Sequence, residues 1–522
     1  MWHDEFERHA AVELILVNRE INAMVPASME KTDQTLRPVD SEASSKAWFH
    51  PLEVFAGEDE SNKWRQELSE LEPPAHRTYT PTQAVLARSS GIYHWTTEGR
   101  RLYDFTSGVL VSNLGHNPLR WMRRFARYSQ WLPNLLFGDI ESDEITGAEE
   151  FGMGLTMTAY NSVTSIEVLA CERLVKSLQQ TPLGRRLETI AWAASGSEAV
   201  HKALWVCLNR DPSRPMILAT RYGYHGKKGL SNAVTGSESD RERDPRVRFI
   251  GFPREEIRDQ SAAAPIDLTV YRKELESIWA EYGSKIGCLI TEPYLGGGGS
   301  YHPPREYHQL LQQFCREHDI LLIFDEVQAN FGRTGSMYAF EKYGVEPDFV
   351  VLGKGLGNGV PVAAVAGSSK WMKMLPYGEL SDTWSANPLS CAAVVATLDE
   401  FESRDLMSHV RQMEPRMLAG LNRLKETGLT SYVRGEGMVY GIECAPFAGL
   451  APAEVAAAIV SGCYQGHGLQ SDGTWGDGIH LLGPLSKCVL RVSPPLVITS
   501  EQVEASMELF YNLLKAVRQK LS

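Results

Sequence analysis

The sequence lacks any apolar run long enough to cross a membrane. A membrane-spanning helix needs about 18 or more consecutive residues with few or no charges, and no stretch of these 522 residues approaches that length. The opening MWHDEFERH also lacks the basic start and following apolar run of a secretory signal. We therefore expect a cytoplasmic protein that does not associate with membranes.

An excess of basic residues is absent as well. Lysine and arginine number 52 against 65 aspartate and glutamate residues, which gives a formal net charge of −13. Nucleic-acid-binding proteins usually carry a positive surface field, so this balance argues against nucleic acid as the main partner. A local pocket of an acidic protein can still bind one anion.

Signatures of zinc sites and of disulfide frameworks are missing too. The eight cysteines form no CxxC pair, and most lie in apolar stretches such as GCLIT. Buried free thiols are the simplest interpretation of this pattern. We expect neither disulfides nor a bound metal ion.

The sequence instead contains an alternation of short apolar runs and amphipathic stretches such as SEAVHKALWVCL. The strand candidates are TIAWAA (189–194), MILAT (216–220), CLIT (288–291), LLIFD (321–325), FVVLG (349–353) and VAAVAG (362–367). Apolar strands separated by helices indicate a parallel sheet covered on both faces. The predicted fold class is therefore α/β.

The chain is too long for one hydrophobic core, so more than one domain is expected. Residues 1–75 are dense in charge and broken in pattern, which predicts an N-terminal extension that is partly disordered or peripheral. From residue 396 the pattern becomes rich in helices, with strands at MVYGIEC and VLRVS. Residues 396–522 are therefore predicted to form a C-terminal small domain.

Ligands of parallel α/β sheets bind at the carboxyl ends of the strands, and four of these ends carry unusual groups. At the first, Ser195-Gly196-Ser197 joins a strand to a helix. Small residues let backbone amides approach a ligand, and a helix N-terminus favours an anion such as phosphate. An ordinary helix cap by Ser195 or Ser197 is the alternative.

The other three strand ends carry Asp325, Lys354 and the tyrosines of RYGYHGKKG. A buried carboxylate needs a cation or hydrogen-bond donors, and a protonated pyridine nitrogen is such a cation. Desolvation lowers the pKa of a lysine toward the neutral amine that attacks an aldehyde, and a tyrosine can stack on a flat ring. The alternatives are a helix-capping aspartate, an exposed lysine in a glycine turn and a packing aromatic.

The spacing of these groups strengthens their interpretation. A single helical stretch, MYAFEKYG, separates Asp325 from Lys354, so right-handed crossover places both at one edge of the sheet. A carboxylate for a ring nitrogen, an amine for an aldehyde, a phosphate site and a stacking aromatic together describe pyridoxal 5'-phosphate. We predict this cofactor.

From about residue 90 to its end, the sequence resembles the class III (omega-type) aminotransferases, which are fold type I pyridoxal-phosphate enzymes. The motifs that carry the resemblance include GHNP (115–118), SGSEA (195–199), YHG (224–226), FDEVQANFGRTG (324–335), GKGLGNGVP (353–361), TWSANPLSC (383–391) and LRVSPPLVIT (490–499). The resemblance implies a large cofactor-binding domain over 146–395 with a mostly parallel seven-stranded sheet. It also implies that 396–522 is a small α+β domain, to which residues 76–145 contribute along with dimer contacts.

The resemblance further implies roles for single residues. Lys354 would hold the cofactor as a Schiff base and move a proton, and Asp325 would pair with the pyridinium. The other implied cofactor-binding residues are Gly196 and Ser197 for the phosphate, Tyr224 and Val327 on the ring faces, Gln328 for the phenolic oxygen, Glu292 beside the cofactor, and Thr383 for the phosphate of a neighbouring subunit. Glu292 would alternatively brace its strand end. The role of Thr383 implies a homodimer with shared active sites, or a tetramer built from it.

Departures from the family pattern bear on the substrate. Lys227 stands where many members bind a substrate carboxylate with arginine, and a lysine is a point charge rather than a bidentate fork. Gly297 stands where many carry a glutamate that pairs with the arginine matched by Arg491. Arg491 is therefore expected to bind an anionic group or to brace the C-terminal domain. Val109, Lys227 and Arg491 are the predicted substrate-binding residues.

The predicted activity is transfer of an amino group from a primary amine or amino acid to a 2-keto acid. Elimination, decarboxylation or epimerisation on the same fold is the alternative, because a fold does not determine the reaction. A nicotinamide-binding enzyme is discarded, since the glycines of 353–359 do not match GxGxxG. A pyridoxal-binding regulator would need a DNA-reading module, which the acidic N-terminal extension does not show.

Overall fold

The computed structural model describes residues 52–76, 78–131, 154–240, 243–260, 265–468, 470 and 473–522. Its α-helices are α1 (Asp59–Leu71), α2 (Ser107–Leu110), α3 (Leu119–Tyr128), α4 (Ser165–Leu178), α5 (Gly196–Arg210), α6 (Gly229–Ala233), α7 (Leu268–Tyr282), α8 (Arg305–Glu317), α9 (Ala339–Tyr343), α10 (Ser369–Met372), α11 (Pro388–Ser403), α12 (Leu406–Arg423), α13 (Pro452–Gln465) and α14 (Ser500–Leu521). Within the described ranges, none of these helices combines the length and the apolar character that crossing a membrane requires.

The strands form three sheets. They are β1 (Arg88–Ser90), β2 (Tyr93–Trp95), β3 (Arg101–Asp104), β4 (Thr189–Ala193), β5 (Met216–Thr220), β6 (Val247–Ile250), β7 (Ile286–Thr291), β8 (Leu321–Asp325), β9 (Phe349–Leu352), β10 (Ala363–Gly367), β11 (Thr430–Glu436), β12 (Val439–Cys444), β13 (Gly478–His480) and β14 (Val489–Val492). The largest sheet has seven strands in the order β4-β10-β9-β8-β7-β5-β6. The others have the orders β1-β2-β3-β13 and β11-β12-β14.

The seven-stranded sheet confirms the predicted α/β fold of type I. Its pairs from β9 to β6 are parallel, and β10 alone runs antiparallel to its neighbours β4 and β9. All six strand candidates are strands. The seventh, β6, was not predicted, because it is a four-residue edge strand interrupted by Arg248, which reaches the Tyr282 hydroxyl at 2.7 Å.

Helices cover both faces of this sheet, and its residues alternate between two hydrophobic clusters. In β8, Leu322 and Phe324 pack into one cluster, while Leu321 and Ile323 pack into the other. Every residue of β8 is buried. Burial on both faces explains why these strands read as continuous apolar runs rather than as alternating patterns.

The four-stranded sheet combines segments from the two ends of the described chain, whereas the three-stranded sheet is formed by residues 430–492 alone. Parallel pairing joins β3 to β13, with Asp104 opposite His480. Before them in sequence, α1 is anchored by the buried Glu58, which forms ion pairs with Arg65 at 2.7 Å and Arg100 at 2.8 Å. Of the extension predicted over residues 1–75, residues 1–51 lie outside the described residues, and the described remainder contains α1.

Candidate active site

A cavity of about 330 Å³ lies at the carboxyl edge of the seven-stranded sheet. Eight of the predicted residues line it, namely Gly196, Ser197, Tyr224, Glu292, Asp325, Val327, Gln328 and Lys354. The connection between β9 and β10 adds residues 359–362 to the wall. The sheet thus brings to one place the groups that the sequence presents at separate strand ends.

Lys354 begins a single turn of 3-10 helix directly after β9. Its backbone is in the left-handed region, with φ of 48°, a conformation that is costly for a residue other than glycine. Burial, reinforced by the positive charge of Arg491, lowers the pKa of Lys354 to about 7, although Asp325 and Glu292 oppose this shift. A substantial fraction of the side chain is therefore a neutral, nucleophilic amine at neutral pH.

Asp325 ends β8, and its carboxylate is buried against a histidine. Its Oδ2 accepts a hydrogen bond from His225 Nδ1 at 2.7 Å, and its Oδ1 accepts one from Val327 N at 3.1 Å. His225 is buried, and among the described residues its Nε2 has no hydrogen-bond partner. The carboxylate therefore has an imidazole behind it and faces the cavity.

His225 is a site residue that sequence reasoning missed. The resemblance assigns a role to the tyrosine of the YHG motif and none to its histidine. His225 and Asp325 are 100 residues apart in the chain, and they follow β5 and β8, which lie on either side of β7 in the sheet. The signal available in the sequence was the position of His225, one residue after Tyr224 in a glycine-flanked loop.

The N-terminus of α5 forms one edge of the cavity. Ser195 caps the helix by accepting from Glu198 N, and Glu198 completes a capping box. The capping alternative thus holds for Ser195, while Gly196 and Ser197 line the cavity. A Cβ at Gly226 would collide with Ser197 Oγ, so only glycine allows the tyrosine loop to approach the helix this closely.

Glu292 is buried and braces the tyrosine loop. Its Oε2 accepts from Tyr224 N at 2.9 Å, and its Oε1 accepts from Gly296 N at 3.3 Å. Burial raises the pKa of Glu292 to about 7, with His225 opposing the shift and Asp325 adding to it. Glu292 therefore lines the cavity and also links the tyrosine loop to the loop that follows β7.

The remaining predicted residues lie outside the wall of the cavity. Thr383 and Lys227 are exposed, and Val109 is 38% exposed with φ of 66°. Arg491 is buried and donates from Nη1 to Gln328 Oε1 at 3.1 Å. Arg491 therefore contacts the wall of the cavity through Gln328. Thr383, Lys227 and Val109 are not part of that wall.

The buried Lys202 of α5 forms hydrogen bonds with the loop that carries Thr383. Lys202 Nζ donates to Trp192 O at 2.7 Å, to Asp382 Oδ2 at 2.7 Å and to Ser385 Oγ at 2.8 Å. The three donors of the ammonium group are thus all used. This arrangement fixes the loop on both sides of Thr383 and leaves Thr383 facing outward.

The chain matches known transaminases over most of its length. The family of class-III aminotransferases matches residues 148–514 of the chain. A 2-aminoadipate transaminase from Pseudomonas putida is 30% identical over 429 residues, which is 80% of this chain and 93% of that protein. An omega-aminotransferase from Caulobacter vibrioides is 30% identical over 464 residues, with coverage of 85% and 96%.

A solved structure shows the same fold. The (S)-enantioselective omega-transaminase from Thermomicrobium roseum aligns with a TM-score of 0.70 at 22% identity, over 90% of this chain and 96% of that one. This likeness shows the fold, while the family match and the two relatives confirm the predicted family, cofactor and reaction class. The protein belongs to the class III aminotransferases and is a pyridoxal-phosphate-dependent enzyme that transfers amino groups between small amines and keto acids.

Proposed function

We propose that the cavity at the carboxyl edge of the sheet is the transamination site and that it accepts amines and 2-keto acids that carry an acidic group. One observation carries the first part of this proposal. The amine of Lys354, the carboxylate of Asp325 and the N-terminus of α5 line one cavity of about 330 Å³. The second part depends on Arg491.

The residues of the cavity suit pyridoxal phosphate. Backbone amides of Gly196 and Ser197 would hold the phosphate at the helix N-terminus, and Asp325 would hold the protonated ring nitrogen. The ring would lie between Tyr224 and Val327, with Gln328 next to its phenolic oxygen and Glu292 behind Tyr224. The bound cofactor supplies an electron sink for the carbon that carries the substrate nitrogen.

The protein groups around this cofactor position and move protons. His225 donates to Asp325 Oδ2, which stabilises the ionised carboxylate. Lys354 Nζ would hold the cofactor by its aldehyde at rest and, with substrate bound, would take up and return the substrate proton. The lowered pKa of Lys354, about 7, suits both tasks near neutral pH.

Arg491 is the candidate site for an acidic group of the substrate. Its side chain is buried, and among the described residues it forms no ion pair with a carboxylate, while its Nε has no hydrogen-bond partner. Burial lowers the pKa of Arg491, which reflects the cost of an unpaired buried cation. A substrate carboxylate would provide the missing counterion. No glutamate competes from position 297, where a Cβ would already lie 3.0 Å from Tyr224 Cβ.

The proposed reaction is tested by mixing the holoenzyme with a panel of amines in the absence of any keto acid. We expect a lasting conversion of the cofactor absorbance to that of pyridoxamine phosphate, which pyruvate or 2-oxoglutarate then reverses. Recovery without a keto acid, accompanied by release of ammonia or carbon dioxide, would support elimination or decarboxylation instead.

Replacing Arg491 by alanine is expected to raise KM for 2-oxoglutarate by about 10- to 100-fold, since a hydrogen bond to a charged group contributes roughly 1.5–3 kcal/mol. The matched variant Lys227→Ala removes the exposed cation, and we expect it to change KM by about fivefold at most, as for a surface ion pair. Steady-state kinetics with acidic and neutral substrates measures both. Equal KM values for wild-type enzyme and Arg491→Ala, with the cofactor absorbance intact, would contradict the role of Arg491.

We also propose a homodimer with shared active sites, a cytoplasmic location and the domain division inferred from the sequence. The outward position of Thr383 and the 61% exposed Trp384 beside it support a subunit interface at this loop. All eight cysteines are free thiols, which supports a reducing compartment. The pairing of β3 with β13 supports a contribution of the segment 76–145 to the small domain.

A further inference from the structure

A second group of ligand-type side chains lies in the four-stranded sheet, apart from the residues that line the active-site cavity. His94 is the central residue of β2, Asp104 ends β3, and His116 belongs to the GHNP turn. The ligand atoms of these three residues lie within 4.8 Å of one another. Asp104 Oδ2 is 2.7 Å from His116 Nε2 and 3.5 Å from His94 Nε2.

Contacts on the far side of the group hold two of these side chains in place. His94 Nδ1 lies 2.6 Å from Ser89 Oγ, on the neighbouring strand. Asp104 Oδ1 accepts from Thr106 N and Thr106 Oγ1, each at 2.7 Å. Because Oδ1 is already used, Oδ2 is left for the two imidazoles. Outer hydrogen bonds of this kind orient the ligands of metal sites in proteins.

The backbone joins the three chain segments before any ion is bound. Gly91, just ahead of β2, exchanges backbone hydrogen bonds with His116 at 2.8 and 2.9 Å. His94 lies opposite Leu102 in the pairing of β2 with β3. The ligand atoms are thus preorganised by the sheet, and the half-buried His116 leaves a route from solvent to the group.

A third histidine lies next to the group. His480 is opposite Asp104 in β13, with its ring centroid 5.5 Å from that of His94. The Nδ1 atom of His480 has no hydrogen-bond partner among the described residues.

We propose that His94, Asp104 and His116 bind one divalent transition-metal ion, for which zinc is the best fit, with His480 as a candidate for a further ligand. Two or three imidazoles and one carboxylate form a nitrogen- and oxygen-rich set that suits zinc and related ions. The site would be structural. It would fasten β2, β3 and the GHNP turn to one another, and the segment between β3 and that turn contains α2 and the cavity residue Val111. The sequence does not predict this metal site, because it contains none of the cysteine motifs that mark zinc sites.

A second cluster of the described residues offers a comparison. Glu276, Glu317 and His318 also bring their ligand atoms within 4.8 Å. There, however, both carboxylates already pair with Arg272, and His318 stacks on Trp279 at a centroid distance of 4.0 Å. We therefore propose no metal site at this cluster, and His318 provides a matched control.

The test is a titration of the holoenzyme with Zn²⁺ by isothermal calorimetry, after removal of metals with a chelator and exchange into a non-coordinating buffer. We expect saturable binding of one ion per chain. His94→Phe keeps a buried ring, and His116→Gln keeps a hydrogen-bond donor toward Asp104. Each variant is expected to weaken binding by about 100-fold or more, whereas His318→Ala should bind as the wild type does.

Cobalt provides a second readout that does not depend on activity. Co²⁺ bound by imidazoles and a carboxylate should give visible d–d absorption in the wild type and lose it in His116→Gln. Circular dichroism and the cofactor absorbance establish that each variant is folded, and His116→Gln decides the matter if His94→Phe does not fold. Failure of the wild type to bind either ion, or equal binding by wild type and a folded ligand variant, would overturn the proposal. Neither result would bear on the transamination site.

Discussion

Replacing Lys354 by alanine is expected to lower kcat by about 10⁴-fold or more, while the protein stays folded. The substitution removes the amine that attaches the cofactor and the group that takes up and returns the substrate proton, and general acid–base catalysis alone contributes about 10²–10⁴-fold. The side chain forms no described ion pair or hydrogen bond that the fold would lose. Single-turnover kinetics and the absorbance of lysine-bound cofactor measure the effect.

Two controls separate chemistry from folding in this experiment. Lys228→Ala removes an exposed lysine close to the cavity residue Gly226, and we expect it to leave kcat unchanged. A small primary amine such as methylamine is expected to restore part of the activity of Lys354→Ala, because it can enter the space of the deleted side chain. Normal turnover by Lys354→Ala would refute the assignment of this lysine.

Asp325→Asn is expected to lower kcat by about 10²–10³-fold, the usual cost of removing one preorganised electrostatic group from an active site. The amide keeps the volume of the side chain and can still accept from Val327 N, but it removes the negative charge next to the ring nitrogen. It also deprives His225 Nδ1 of its ionised acceptor. Steady-state kinetics and the dissociation constant of the cofactor measure the two effects separately.

The neighbouring residue provides a matched control for Asp325→Asn. Glu326 is also buried, but its carboxyl oxygens face Ala339 N and Phe340 N at the start of α9, with distances of 2.7 and 2.6 Å. Burial raises the pKa of Glu326 to about 8, so it is largely protonated at neutral pH and a glutamine changes little charge. We expect Glu326→Gln to affect thermal stability more than kcat. Equal losses of kcat in both variants would indicate that Asp325 acts structurally.

The sequence predicts the large sheet and the groups at its edge because one physical cause produces both signals. A strand buried on both faces must be apolar throughout, so polar residues such as Asp325 and Lys354 stand out where such a strand ends. A contact between residues that are far apart in the chain leaves no comparable signal in the sequence. The contact of His225 with Asp325 and that of Arg491 with Gln328 join residues 100 and 163 positions apart. For this reason the sequence predicts no role for His225. It also leaves two roles open for Arg491, which are binding an anionic group and bracing the C-terminal domain.

The single antiparallel strand of the large sheet has a consequence for how such an enzyme can diversify. Because β10 runs opposite to β9, the chain that leaves β9 with Lys354 turns back at the same edge, and residues 359–362 line the cavity. The reacting amine is thus held in the connection between two adjacent strands of the sheet. Mutations elsewhere in the wall can reshape what the cavity admits without moving that amine. An engineer seeking a new amine substrate would therefore begin with a wall residue outside that connection, such as Val111, and leave the β9–β10 hairpin untouched.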